Sequence, residues 1–357
     1  MKICFLGPAN STHIHKWVKW FSQQGHEIHV ISFTPGKIEE AHVHLIDVGV
    51  DADDKDIKKI KYIFTGKKIR GLIDEIKPDV INAHYASSYG VAIALSGITG
   101  YVLSVWGSDI YDFPNKSPIH KALLEFSLKK AGCLFSTSRA MADEAAKYTN
   151  KAFEITPFGV DLEVFNPNKK TRTSDESFII GTVKSLSNIY GIQYILEAAA
   201  FIKDQNSIPI KVRIAGNGPQ EQEYHQMADA LGIGEITTWL GFISQEQAAE
   251  EWANMDVALL PSESESFGVS AVEAQACGTP VIISDIPGLM EATKPGETSI
   301  VVKRNSTKEL IRAIMRLYGD AGERHRLGKN GLEYVRGNYE LNHCFEHIEE
   351  LLKKNTR

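Results

Sequence analysis

Short apolar runs alternate with longer helical patterns along almost the whole chain. In the first half these runs are Ile3–Leu6, Ile28–Ser32, Val80–Ala83, Val102–Val105 and Leu134–Thr137. Strands covered on both faces of a sheet read as continuous apolar runs, and parallel strands need crossover helices between them. The first half of the sequence therefore predicts a doubly wound α/β domain.

A second α/β rhythm begins after a break that contains Pro157, Pro167 and the polar stretch 168–177. Its apolar runs are Phe178–Val183, Lys211–Ala215, Val257–Leu260, Val281–Ser284 and Ser299–Val302. A chain of 357 residues exceeds what one hydrophobic core usually supports. We therefore predict two domains, residues 1–165 and 175–335, with a helix at about 340–357 that packs back on the first domain.

Composition and charge exclude several classes of protein. The hydrophobic share of 43% and the charged share of 24% are those of a globular protein. A net charge of -6 gives no overall basic field, so nucleic acid is not an expected partner. The four cysteines are scattered, which favours reduced thiols. No apolar stretch reaches the roughly 18 residues of a membrane span, and we expect a cytoplasmic protein.

The segment from Pro261 to Asp285, PSESESFGVSAVEAQACGTPVIISD, holds the most informative residues. A Ser/Glu-rich loop leads from a strand into a helix that should begin near Gly268. The free N–H groups and the dipole of such a helix attract a diphosphate. Glu265 and Glu273 flank this position, and as carboxylates they would suit sugar hydroxyls, Glu265 on the transferred hexose and Glu273 on a ribose. On spacing alone, an acidic loop followed by an ordinary helix glutamate explains the pattern equally well.

This segment resembles the signature of the retaining glycosyltransferases of family 4, in which two glutamates separated by seven residues precede Ala-x-Ala-x-Gly-x-Pro-Val. The matching residues are Glu265, Glu273, Ala274, Ala276, Gly278, Pro280 and Val281. The resemblance implies the GT-B fold, with two facing Rossmann-like domains and a cleft between them. It also implies transfer of a sugar from a nucleoside-diphosphate sugar, with a UDP-sugar favoured, and an acceptor that binds the N-terminal domain.

On the donor side, the resemblance extends to a Gly-x-Gly-Pro turn and to a loop that brackets the nucleobase. The donor-binding residues that it implies are Lys184, Gly216, Asn217, Gly218, Pro219, Phe242, Ser266, Phe267, Gly268, Val269 and Glu273. The family usually carries an Arg and a Lys after the first strand of this domain, where this chain has Ser185 and Tyr190. Lys184 alone remains to balance the diphosphate, unless it is an ordinary lysine that faces solvent at the strand end.

On the acceptor side, SVWGSDIYD resembles the family's His-Gly-Ser/Thr-Asp loop, with Trp106 where the His often stands. A polar role at the reacting centre then passes to Asp109 or His84, and we predict that Asp109 positions the acceptor hydroxyl. The catalytic residues are thus expected to be Glu265, Asp109 and His84. His84 ends a predicted strand, and a structural histidine bonded to a carbonyl is an equally good interpretation.

The loop after the first strand supplies Asn10, Ser11 and His13, which would reach the acceptor from a helix N-terminus or serve only as helix caps. Asp51-Ala52-Asp53 has the residue pattern of a metal-binding Asp-x-Asp motif, but no strand leads from it to a nucleotide site. Enzymes of the GT-B fold generally work without a metal. We therefore assign no metal and no cofactor.

A cationic segment, Lys58–Arg70, combines basic residues with Ile and aromatic residues. Such a segment suits an anionic membrane surface, although a solvated charged face has the same composition. The membrane interpretation implies peripheral attachment at the inner face of the cell membrane, a lipid-linked acceptor and a cell-surface glycan product. Alternative functions are a nucleotide-sugar epimerase and a non-catalytic nucleotide-sugar-binding paralogue.

Overall fold

The computed structural model describes residues 1–48, 64–173, 177–206 and 208–356. The chain forms two compact units. The first is Met1–Phe158 together with Phe345–Arg357, and the second is Gly159–Cys344. No helix within the described ranges is both long enough and apolar enough to cross a membrane.

The first unit contains a parallel sheet of seven strands in the order β3-β2-β1-β4-β5-β6-β7. The strands are β1 (Lys2–Leu6), β2 (Glu27–Ser32), β3 (His42–Leu45), β4 (Val80–His84), β5 (Val102–Val105), β6 (Cys133–Ser136) and β7 (Phe153–Ile155). Every residue of the central strands β4 and β5 is buried, as their continuous apolar runs predicted.

Helices connect these strands and pack against the sheet through buried hydrophobic residues. They are α1 (Thr12–Gln23), α2 (Gly66–Ile76), α3 (Gly90–Ser96), α4 (Ser108–Tyr111), α5 (Pro118–Lys130) and α6 (Arg139–Ala145). A π-helix, Tyr85–Tyr89, leads directly from β4 towards α3.

The second unit contains a parallel sheet of six strands in the order β10-β9-β8-β11-β12-β13. The strands are β8 (Phe178–Val183), β9 (Ile210–Ala215), β10 (Thr237–Trp239), β11 (Val257–Leu260), β12 (Val281–Ser284) and β13 (Ser299–Val302). The helices are α7 (Ile192–Asn206), α8 (Glu221–Ala230), α9 (Gln245–Asn254), α10 (Val269–Ala276), α11 (Pro287–Ala292), α12 (Thr307–Gly319) and α13 (Ala321–Asn338). The α/β fold class with two doubly wound sheets is confirmed.

The strand order reverses once in each sheet, between β1 and β4 and between β8 and β11. Chain connections leave such a point in opposite directions, so a crevice opens outside the carboxyl ends of the two strands. In the first sheet this point is flanked by Gly7 and Tyr85, and in the second by Lys184 and Pro261. These are the two places where the fold itself positions a ligand site.

The last helix, α14 (Leu341–Lys354), contributes its later turns to the first unit. Phe345 is fully buried, and its ring lies 5.6 Å from that of Trp17 and 5.5 Å from that of Trp20. Glu349 accepts a hydrogen bond from His26 at 2.7 Å. The C-terminal helix is therefore part of the first unit's core.

Candidate functional site

A buried ion pair lies at the switch point of the second sheet. Lys184 follows β8 and Glu265 lies in the loop after β11, and Nζ of Lys184 is 2.5 Å from Oε1 of Glu265. The two side chains are only 13% and 8% exposed, which excludes the solvent-facing interpretation of Lys184. The Ser262 hydroxyl donates a second hydrogen bond to the same Glu265 oxygen at 3.2 Å.

The surroundings of Lys184 keep its ammonium charged. Burial by itself lowers the pKa of Lys184, but Glu265, Tyr190 and Glu273 together raise it above its usual value. The ammonium lies 4.4 Å from the centre of the Tyr190 ring, which is cation–π distance. A positive charge is thus held in place in a desolvated site beside two carboxylates.

The turn that carries Tyr190 is tied to the loop that carries Glu265. The backbone N–H of Glu263 donates to the carbonyl of Ile189 at 2.7 Å, and the Tyr194 hydroxyl donates to the Glu263 carboxylate at 3.0 Å. Gly191 follows the turn at φ +70, and a Cβ there would overlap the Pro261 carbonyl oxygen. Only glycine allows this close approach of the two loops.

Helix α10 begins beside this ion pair. Its N-cap is Gly268 at φ 96, a residue that has no side chain to cap the first turn. The hydroxyl of Ser270 donates to the carbonyl of Val183, the last residue of β8, at 3.0 Å. Uncapped N–H groups and the positive end of the helix dipole therefore lie next to Lys184. Glu273 follows on the same helix and is half-buried.

The glycine-containing turn after β9 lies close to the segment that begins with Lys184. A Cβ on Gly216 (φ 132) would overlap the Lys184 carbonyl oxygen, and one on Gly218 would overlap that of Leu186. Gly216 also donates its N–H to the carbonyl of Gly241 at 2.7 Å. The exposed side chains here include Asn217, Pro219 and Phe242, while Phe267 lies in the core. The second unit thus brings the predicted donor residues to one end of its sheet.

Asp109 is enclosed in the first unit. Its Oδ1 accepts the backbone N–H groups of Trp106 at 3.2 Å and Gly107 at 2.8 Å, and its Oδ2 accepts that of Ala86 at 2.8 Å. Burial raises the pKa of Asp109, and these hydrogen bonds oppose the rise. The carboxylate therefore ties the loop after β5 to the π-helix after β4, an arrangement that sequence reasoning did not anticipate.

His84 lies in an aromatic cluster. Its ring is 4.8 Å from that of Trp17, 4.4 Å from that of Trp106 and 5.7 Å from that of Phe5. It is fully buried, and among the described residues neither ring nitrogen has a hydrogen-bond partner. Burial, with a smaller effect of His13, lowers the pKa of His84 to about 3. His84 is therefore neutral, and it does not make the carbonyl bond of the structural interpretation.

The other predicted acceptor-side residues differ in their contacts. His13 stacks on Phe158 with ring centres 4.1 Å apart, and burial followed by the charge of Lys16 lowers the pKa of His13 to about 4. Asn10 is exposed and accepts a hydrogen bond from Thr34 at 3.2 Å. Ser11 is the N-cap of α1, but its side chain makes no capping hydrogen bond.

Sequence reasoning missed Tyr85, which has a left-handed backbone at φ 65. It is the first residue after β4, and its ring lies 5.1 Å from that of Trp106. A bulky residue at positive φ is strained and is often found at functional sites. The only signal in the sequence was its place at the end of a predicted strand, directly after His84.

Two predictions from the sequence concern residues that lie wholly or partly outside the described ranges. Asp51, Asp53 and the first half of the cationic segment belong to the range 49–63. Within the described ranges, no group of three or more His, Cys, Asp or Glu side chains is arranged to hold a metal ion.

Comparison with known proteins gives two family matches. The model of the glycosyl transferases group 1 matches residues 165–334, and that of the glycosyl transferase 4-like family matches residues 2–138. A D-inositol 3-phosphate glycosyltransferase of an Arthrobacter species is 26% identical over 288 residues. The match covers 72% of this chain and 66% of that relative, so the chain spans just under two thirds of the relative's length.

Two solved structures share the fold along the whole chain. Sucrose-phosphate synthase from Thermosynechococcus elongatus has a TM-score of 0.85 at 18% identity, over 99% of this chain and 98% of that one. Anabaena HepE, solved in complex with UDP, has a TM-score of 0.81 at 20% identity, over 99% of this chain and 100% of that one. HepE was also solved with UDP-glucose.

Proposed function

Because this chain belongs to the glycosyltransferases of group 1, we propose that it moves a sugar from a nucleoside-diphosphate sugar to an acceptor hydroxyl, with retention of the anomeric configuration. The observation that carries the proposal is the buried pair of Lys184 and Glu265 beside the uncapped start of α10. A UDP-sugar is the favoured donor, and the complexes of HepE with UDP and UDP-glucose support this choice.

In this proposal the diphosphate binds Lys184 and the first N–H groups of α10. Glu273 accepts from the ribose, and Glu265 accepts from a hydroxyl of the transferred sugar. The bond between the anomeric carbon and the phosphate oxygen breaks as the acceptor oxygen attacks the anomeric carbon, and the acceptor proton passes to the departing diphosphate. Lys184 and the helix amides stabilise the charge that develops on that leaving group.

The acceptor is proposed to bind the first unit, where Asn10, Ser11, His13 and Trp106 remain the candidate contacts. Asp109 is proposed to position the loop after β5 against the π-helix after β4 rather than to bind the acceptor itself, since its oxygens already accept backbone N–H groups. His84 is proposed to shape the site as a neutral ring rather than to exchange protons, because it is fully buried.

The proposal also includes an acceptor that is linked to a membrane lipid. On α2 the side chains of Lys67, Lys68 and Arg70 are exposed, and Phe64 just before the helix is 82% exposed. Cationic residues beside an exposed aromatic ring suit an anionic membrane surface. We therefore propose a role at the cytoplasmic face of a bacterial membrane, in the synthesis of a cell-surface polysaccharide or a lipid-linked glycan.

A donor screen tests the proposal. Thermal unfolding is measured with UDP, GDP, ADP and their common sugar conjugates, for the natural protein, for Glu273→Ala and for the control Glu250→Ala. Glu250 is an exposed glutamate on α9, in the same unit. We expect one nucleotide family to raise the melting temperature of the natural protein and of the control, but not that of Glu273→Ala.

Product analysis then separates the alternatives. NMR of the product with a glycosyl acceptor should show the anomeric configuration of the donor. Conversion of the donor sugar into its epimer without any acceptor would establish an epimerase instead. If no nucleotide shifts the melting temperature, the transferase proposal is wrong.

A further inference from the structure

Within the described part of the chain, the ammonium of Lys184 contacts a carboxylate and an aromatic ring. Glu265 offers a carboxylate oxygen at 2.5 Å, and Tyr190 offers the face of its ring at 4.4 Å. A carboxylate competes with any other anion for the ammonium, because both accept its N–H groups. The face of an aromatic ring attracts the same cation without competing for those groups.

From these contacts we propose that Tyr190 holds Lys184 in the donor site and that Lys184 exchanges Glu265 for the donor diphosphate on binding. The inference rests on the proposed function, since it takes the diphosphate as the incoming anion. It makes Tyr190 a positioning residue that acts through Lys184.

The position of Tyr190 is fixed before any ligand arrives. The hydrogen bond from Glu263 to Ile189 and the close approach of Gly191 to Pro261 hold its turn against the neighbouring loop. Resemblance to the family places a second cation at this position, and this chain has an aromatic ring there instead. A single lysine held over a ring thus takes the place of a pair of cations that repel each other.

The exchange also prepares Glu265 for the sugar. Once Lys184 turns to the diphosphate, Glu265 keeps the hydrogen bond from Ser262 and has lone pairs free for a sugar hydroxyl. A nucleoside diphosphate without sugar brings no such hydroxyl. It must therefore displace Glu265 from Lys184 without compensation, so Glu265 should weaken the binding of UDP.

The first experiment measures UDP and uridine affinity by calorimetry for the natural protein, Tyr190→Phe and Tyr190→Leu. Phenylalanine keeps the ring face, so its UDP affinity should stay within about twofold of the natural value. Leucine should weaken UDP about tenfold and leave uridine unchanged, because uridine has no phosphate. The role of Tyr190 would be overturned if all three proteins bound UDP equally well. It would also be overturned if Tyr190→Leu lost as much affinity for uridine as for UDP.

The second experiment compares Glu265→Gln with Glu263→Gln, whose carboxylate accepts from Tyr194 instead of Lys184. Removing the competing charge should tighten UDP binding at least about fivefold in Glu265→Gln, while turnover of the sugar donor falls. Glu263→Gln should bind UDP as the natural protein does. Unchanged or weaker UDP binding by a folded Glu265→Gln protein would refute the exchange.

Nucleotide binding by the natural protein distinguishes failure of the proposed function from failure of this inference. If the natural protein binds no nucleoside diphosphate, the proposed function is wrong and the inference falls with it. If the natural protein binds UDP but the variants fail the tests above, only the inference is wrong.

Discussion

Replacing Asp109 by Asn tests whether this carboxylate organises the first unit or contacts the acceptor. The substitution keeps the shape of the side chain and changes one oxygen acceptor into an N–H₂ donor. The best orientation leaves the amide oxygen with the N–H groups of Trp106 and Gly107. The amide nitrogen then faces the N–H of Ala86, where a 2.8 Å hydrogen bond existed before.

The expected loss follows from that one contact. A hydrogen bond to a charged group contributes about 1.5–3 kcal/mol, and the buried N–H of Ala86 is left without an acceptor. Against this, Asn removes a buried charge whose desolvation raises the pKa of Asp109. We expect a net loss of about 2 kcal/mol in the free energy of unfolding at neutral pH.

Urea unfolding followed by tryptophan fluorescence and near-ultraviolet circular dichroism measures this loss, with the exposed Asp112→Asn as control. Release of the nucleoside diphosphate from the donor that the thermal-unfolding screen selects gives the turnover. If Asp109 has a structural role, Asp109→Asn should lower the stability of the first unit and reduce kcat by less than about tenfold. Loss of a catalytic acid or base would instead reduce kcat roughly hundredfold or more. Stability unchanged within about 0.5 kcal/mol together with at least a hundredfold fall in kcat would refute this reasoning.

Two further predictions follow from the geometry. Gly191→Ala forces a Cβ against the Pro261 carbonyl at φ +70 and should cost about 1–3 kcal/mol and weaken UDP binding, measured by thermal unfolding and calorimetry. The control is Gly25→Ala, at φ +79, where the added Cβ would meet no atom within 4 Å apart from its chain neighbours. This control should lose at most about 1 kcal/mol of stability and bind UDP as the natural protein does. Equal UDP affinities of the Gly191→Ala and Gly25→Ala proteins would contradict the role of Gly191. Since the pKa of His84 falls from 6.5 to about 3 on folding, the unfolded chain binds more protons between these values, and stability should fall as pH drops through this range. Urea unfolding should show that, between about pH 7 and about pH 5, the stability of His84→Phe falls with pH less steeply than that of the natural protein, by up to about 1.4 kcal/mol per pH unit. The same dependence of stability on pH in both proteins would be evidence against a buried neutral His84.

The strands found from the sequence and those missed differ in burial. The central strands β4, β5, β11 and β12 are buried at every residue, so their apolar runs are visible in the sequence. The missed strands β3, β7 and β10 lie at the edges of the sheets. An edge strand is short and partly exposed, and its backbone pairs on one side only. The composition of β3, β7 and β10 does not set them apart from loops, whereas the fourth edge strand, β13, was found because Ile300–Val302 is an apolar run.

The motif proposed to bind the donor could be recognised from the sequence because its residues lie close together along the chain. Glu265, Gly268 and Glu273 lie in one strand–loop–helix segment, and the helix start follows from the nearby sequence. The predicted start of this helix near Gly268 agrees with the N-cap at Gly268. The sequence by itself therefore determined the two α/β units, the fold class and the place where a donor diphosphate is proposed to bind.

Only the tertiary structure decided what each polar side chain touches. Lys184 and Glu265 are far apart in the chain, and the pairing of β8 with β11 brings them together. Asp109 was predicted to position an acceptor hydroxyl, and its oxygens accept backbone N–H groups that include one from the π-helix after β4. His84 was expected to take a polar role at the reacting centre or to bond a carbonyl, but the rings around it remove water from both of its nitrogens. Charge state and hydrogen-bond partner depend on burial by residues distant in the sequence, and no local pattern encodes that burial.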